Sequence, residues 1–70
     1  MSLKMDKNTE RVIDQFTEKG NLTTGALVEF TGLSRPTVTK RLDRLHAAEY
    51  ISYLHEPTAL WKLKEDPRDE

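Results

Sequence analysis

The sequence contains no cysteine, which excludes disulfides and thiolate metal sites. Its two histidines, His46 and His55, stand apart without an evident third ligand. Neither a metal nor a cofactor is therefore expected. With only three glycines and three prolines, the chain has no internal repeat and no low-complexity tract. No apolar run approaches the ~20 residues that span a bilayer. The opening MSLKMDK lacks the apolar centre of a signal peptide, and a cytoplasmic protein without membrane contact is expected. No Ser-His-Asp set, paired carboxylates, phosphate-binding loop or dinucleotide fingerprint is visible, so no catalytic residue and no enzymatic activity is expected. The 70 residues allow a single domain near the lower size limit for folding alone. Such a chain depends on regular packing or a partner.

What the sequence does hold is a succession of short amphipathic elements. KNTERVIDQFTEKG reads as a helix capped by Asp6 or Asn8, with Val12, Ile13 and Phe16 as its apolar stripe. Gly20 is expected to end it in a left-handed conformation. Leu22 follows as an apolar peg on a short extended segment. Thr23 or Thr24 then caps a second helix, with Ala26, Leu27 and Phe30 expected to face inward. Gly32 ends this helix, and Leu33 drops toward the core. The third helix starts at Ser34 or Arg35. Pro36 lies in its first turn, where a missing N–H has no helical partner to lose. Past Glu49 the period changes. YISYLH and ALWKLK flank the turn EPT and read as a β-hairpin, with Ile51, Trp61 and Leu63 packing on the helices. The expected fold is mainly α with a small β-hairpin: a domain over residues 1–64, followed by a solvated acidic tail over 65–70.

The net charge is −1, yet its distribution is uneven. Residues 31–45 hold four cations, Arg35, Lys40, Arg41 and Arg44, against the single acid Asp43. Residues 65–70, EDPRDE, hold four acids against Arg68. A partner that docks locally senses the local field rather than the sum.

A glycine-containing turn between two helices is the helix-turn-helix arrangement. ALVEFTGLSRPTVTKRLDRLHAAEYI resembles the second helix, turn, recognition helix and wing entry of the winged helix-turn-helix transcription regulators, especially their MarR-like and ArsR-like groups. YISYLHEPTALWKL resembles their wing. The resemblance spans about Thr23 to Leu63. It implies a three-helix core plus a wing, and sequence-specific binding of double-stranded DNA as a transcription regulator. There are two departures. Family members often have glycine where this chain has Glu49, and the wing tip HEPTA has no cation to place in a minor groove.

At about 100° per residue, Val38, Leu42 and Leu45 share one side of the third helix. Pro36 and Lys40 lie opposite, with Thr39 and Arg44 flanking them. Arg35 and Thr37 sit in the first turn, which enters a major groove deepest in this mode of docking. Arg, Lys and Thr can each address base edges or phosphates. Arg35, Pro36, Thr37, Thr39, Lys40 and Arg44 are thus the candidate reading surface. Thr23, Thr24 and Ser34 are expected to act as caps first and are candidate phosphate contacts second. Arg41 leans toward the core edge and is expected to meet a phosphate or an internal carboxylate. Trp61 and Tyr53 are expected in the core or at a dimer surface, and both histidines at the surface. One helix covers only a few base pairs, so a homodimer on a two-fold-related site is expected. No small-molecule effector site is evident. The alternative is a winged-helix module that binds protein rather than DNA.

Overall fold

The computed structural model describes residues 5–69; Met1–Lys4 and Glu70, the last residue of the expected acidic tail, lie outside them. Helix α1 spans Lys7–Lys19, strand β1 Leu22–Thr23, helix α2 Thr24–Thr31 and helix α3 Arg35–Ala47. Strands β2, Ile51–His55, and β3, Leu60–Leu63, follow. The result is the expected winged helix-turn-helix architecture, three helices with a wing.

Each helix start rests on a side chain that satisfies an otherwise orphaned backbone donor. Asp6 caps α1 by accepting from Thr9 N at 2.8 Å. Thr23 caps α2 through Ala26 N at 3.0 Å. Ser34 caps α3, so Arg35 and Pro36 occupy its first two positions. The helix ends differ. Gly32 is left-handed, as a C-terminal glycine permits. Gly20 also has a positive φ, 88°, but its ψ of −139° is outside the left-handed region expected for it. There the chain turns directly into β1. After α3, Glu49 adopts φ 64°. Tyr50 N donates to Leu45 O, and Glu49 N to His46 O, each at 3.0 Å. This is a Schellman closure built without glycine.

The sheet is larger than the expected hairpin. Leu22 is more than a peg: β1 pairs antiparallel with β3, placing Leu22 opposite Trp61 and Thr23 opposite Leu60. The order is β1-β3-β2, so β3 is the central strand. Ile51 faces Leu63 and Tyr53 faces Trp61 across β2–β3. A register shift between Tyr53 and His55 turns Leu54 outward, where it is exposed.

The core consists of Val12, Ile13 and Phe16 from α1, Leu22, Leu27 from α2, Val38, Leu42 and Leu45 from α3, and Ile51 and Trp61 from the sheet. Burying each large aliphatic or aromatic side chain contributes about 1.5–3 kcal/mol relative to exposure. Leu33 and Leu63 pack against this core at partial burial. Phe30 does not. The expected inward position is corrected by 49% exposure, with Lys19 Nζ lying 4.8 Å from its ring centre. In an eight-residue helix the inward stripe is narrow, and Leu27 fills it.

The acidic segment folds back along the domain. Lys64 N and Glu65 N donate to Tyr50 O, and a 3-10 turn forms over Pro67–Asp69. Arg68 reaches Asp14 on α1 at 2.6 Å and Asp66 at 3.0 Å. The Arg68 guanidinium holds the Asp66 carboxyl below the usual carboxylate range. Among the described residues, no helix is long and apolar enough to cross a membrane.

Candidate nucleic-acid interface

The interface follows from which face of α3 the core consumes. Val38, Leu42 and Leu45 are buried, so the opposite face is presented outward. Arg35, Pro36, Thr39, Lys40 and Asp43 are exposed, and Thr37 and Arg44 half-buried. Of the four α3 cations, Arg41 is committed internally. Its Nη2 donates to Asp6 Oδ2 at 2.8 Å, and its Nη1 to Thr37 O at 3.4 Å. Of the two expectations for Arg41, the internal carboxylate is the one realised. Among the described residues, Arg35, Lys40 and Arg44 make no ion pair.

The start of α3 is fixed by hydrogen bonds within its cap. Ser34 Oγ lies 2.8 Å from Thr37 Oγ1 and accepts from Thr37 N at 3.4 Å. The Ser34 and Thr37 hydroxyls are therefore engaged with each other. Thr39 makes no such side-chain bond among the described residues and is exposed.

The start of α2 is tied to the wing. Thr24 N donates to Ala59 O at 3.1 Å, and Trp61 Nε1 donates to Thr24 Oγ1 at 3.0 Å. An oxygen that accepts the indole proton keeps its own proton for another partner. Trp61 in turn stacks on Tyr53 with ring centres 3.9 Å apart and makes a T-shaped pair with His46, ring centres 5.2 Å apart. The expectation for Trp61 is met, since it is buried. Tyr53 is partly exposed but covers one Trp61 face.

Two features of this region escaped the sequence reading. One is the Trp61–Thr24 bond, which joins residues 37 positions apart and has no local signature. The other is Gly25, the second residue of α2. A Cβ placed there would lie 3.8 Å from Arg35 Nη2. The Arg35 guanidinium therefore lies over the first turn of α2. A glycine early in an otherwise well-formed helix was the available signal.

The wing tip is compact and carries no cation. A 3-10 turn over Glu56–Thr58 leads into Ala59 at φ 50°. His55 Nδ1 lies 2.8 Å from Thr58 Oγ1.

A helix capped by Ser34 behind the left-handed Gly32, with its core stripe on one side and cations on the other, is the geometry of DNA-binding helix-turn-helix proteins. The model of the winged helix-turn-helix DNA-binding family matches residues 5–52, more than half of the chain. The protein belongs to this family. No curated protein and no solved structure matches it. The matched span of this winged helix-turn-helix domain begins just before the α1 cap and ends within β2, and β3 with Trp61 lies beyond it. Family membership supports DNA binding, with double-stranded DNA as the partner.

Proposed function

We propose that the protein is a sequence-specific transcription regulator of the MarR-like or ArsR-like type, with α3 in the major groove of a DNA duplex. The observation that carries this reading is the arrangement of α3. Its core stripe is fully buried, and Arg35, Lys40 and Arg44 stand outside it, unpaired among the described residues. Phosphates position the domain, and side chains on α3 address base edges. Arg35, Pro36, Thr37, Thr39, Lys40 and Arg44 form the contact surface. Thr24, with its proton available, and the Ser34 cap approach the flanking backbone. The protein acts as a homodimer, because one α3 reads too few base pairs to single out a genomic site.

A second reading, a module that binds protein, is favoured by one observation: the wing tip displays Glu56 and an exposed Leu54 instead of a cation. Titration of a mixed duplex pool at two salt concentrations separates the two. A DNA binder loses affinity steeply with salt and is weakened further by Arg35→Ala with Lys40→Ala. Weak, salt-independent retention that ignores both substitutions would favour the protein-binding module.

A further inference from the structure

We propose that Arg35 contacts a phosphate and reads no base, so that base discrimination by α3 falls to Thr39 and Lys40. The assignment rests on the DNA-binding reading above and divides the labour within it.

The first argument is placement. Arg35 is the first residue of α3, a position from which a long side chain could extend along the groove. Its guanidinium instead lies over the first turn of α2, near enough that a Cβ on Gly25 would touch Nη2 at 3.8 Å. In helix-turn-helix docking the helix preceding the recognition helix crosses the DNA backbone. A guanidinium drawn toward that helix is drawn toward phosphates and away from base edges. At 3.8 Å that contact would be an ordinary van der Waals one, so the guanidinium packs on the α2 backbone at Gly25 itself.

The second argument is electrostatic. The start of a helix carries a partial positive charge. The first turn of α2 contains no acid to balance it, and neither does that of α3, whereas α1 has Glu10 there. Arg35 thus sets a full positive charge beside a partial one, with no anion among the described residues to compensate. A phosphate between them relieves both, and the planar guanidinium binds phosphate oxygens bidentately. Thr24, beside Gly25, adds a hydroxyl whose oxygen already accepts from Trp61.

The third argument is what remains for reading. The Thr37 hydroxyl is engaged by Ser34 at 2.8 Å, and Arg41 by Asp6. Arg44 is half-buried and more than two turns from the N-terminal end of α3 that meets base edges, whereas Thr39 and Lys40 are both exposed on the outer face near that end. The threonine methyl and hydroxyl, and the lysine ammonium, can address thymine, guanine or either.

The test is selection of bound sequences from a random duplex library with the wild-type chain and with Arg35→Ala, Arg35→Lys, Thr39→Ala and Lys40→Ala. Salt titration on the selected duplex and thermal melting of each variant complete it. Arg35→Ala is expected to select the same sequences as wild type and to bind all duplexes more weakly. Its slope of log affinity against log salt is expected to be shallower by about one. Arg35→Lys keeps the charge and is expected to retain the wild-type slope and preferences. Thr39→Ala or Lys40→Ala is expected to relax preference at a base pair. Relaxed preference in folded Arg35→Ala with the salt slope unchanged would overturn the assignment. So would unchanged preference in both Thr39→Ala and Lys40→Ala. A wild-type chain that binds no duplex would refute the DNA-binding reading itself, an outcome separable from either of these.

Discussion

Arg41 on α3 donates to Asp6 at 2.8 Å, so the residue that caps α1 also anchors α3. One Asp6 oxygen serves Thr9 through its N–H and hydroxyl, and the other serves Arg41. The Arg41 side chain is only 15% exposed, which places this pair well above an ordinary surface ion pair. Asp6→Ala removes the cap and leaves the Arg41 guanidinium without its carboxylate partner. The expected loss is about 1–3 kcal/mol. In a domain this small each 1 kcal/mol lowers Tm by about 4–8 °C. Circular dichroism melts measure it. Arg41→Ala should destabilise comparably while leaving the salt slope of DNA binding intact, since Arg41 faces a carboxylate and no phosphate.

The same pair makes stability depend on acid. Hydrogen bonds from the Thr9 backbone and hydroxyl, and then from Arg41, hold the Asp6 carboxyl far below the usual carboxylate range. A carboxyl depressed in the folded state stabilises fully above its unfolded value, about 3.9. That stability is lost as pH falls through the folded value. Urea midpoints should therefore be flat with respect to Asp6 between pH 7 and pH 5 and fall below about pH 4. Asp6→Asn, which still caps but cannot titrate, should show a lower plateau and a shallower acid decline. An identical acid profile in Asp6→Asn would show that other carboxylates dominate.

Glu49 holds φ 64° to close α3, the position where the family resemblance leads one to expect glycine. Left-handed backbone costs a non-glycine residue about 1–2 kcal/mol. Its N–H bond to His46 O and the neighbouring Tyr50–Leu45 bond survive removal of the side chain. Glu49→Gly should therefore be neutral or raise stability by up to about 1 kcal/mol. Glu49→Val, β-branched at positive φ, should lower it. Paired thermal melts decide, and a large loss in Glu49→Gly would point to an essential contact of the Glu49 side chain.

The caps, the Val38–Leu42–Leu45 stripe and the turn at Gly32 were legible because each is a local pattern: a hydroxyl or carboxylate before a helix, a 3.6-residue period, a glycine after it. Ile51, Trp61 and Leu63 were legible from strand alternation. The pairing of Leu22 with Trp61 was not, because two residues carry no period and the partner is 39 positions away. Phe30 was misplaced for a related reason. Over eight residues a stripe drawn through Ala26, Leu27 and Phe30 is compatible with several rotations, and only packing against α1 and α3 chooses one. At the candidate interface, the exposure of Lys40 followed from helical phase, and that of Arg35 from its place in the first turn of α3. The lean of Arg35 over Gly25 depended on how α2 meets α3, which no single element encodes.

Trp61 links the wing to α2 by one hydrogen bond and to the core by its ring. Trp61→Phe keeps an aromatic ring to stack on Tyr53 but deletes the indole N–H that reaches Thr24. Its cost should be modest, about 1–2 kcal/mol. Trp61→Ala leaves a cavity and should cost about 3–5 kcal/mol, enough to unfold much of a domain whose total stability is of order 5 kcal/mol. Trp61 is the sole tryptophan, so its fluorescence reports local unfolding of wild type directly. Thr24→Val, which removes the acceptor, should melt like Trp61→Phe, and the double variant should cost less than the sum of the two. Full additivity would mean that the bond contributes nothing.

Leu27 and Phe30 lie three positions apart on α2 yet differ from 0% to 49% exposure, which makes them a direct test of how α2 is rotated. Leu27→Ala should cost about 2–5 kcal/mol, as full burial among α1, α3 and the sheet requires. Phe30→Ala removes only a partly exposed ring and its approach to Lys19, an interaction worth about 0.5–1 kcal/mol at an exposed site. Chemical denaturation of both variants should therefore separate them by several-fold in cost. If Phe30→Ala proved as damaging as Leu27→Ala, the ring would have to be buried in solution by something other than this domain's own core. A concentration-dependent melting temperature in wild type, lost in Phe30→Ala, would then identify a second copy of the chain as the cover.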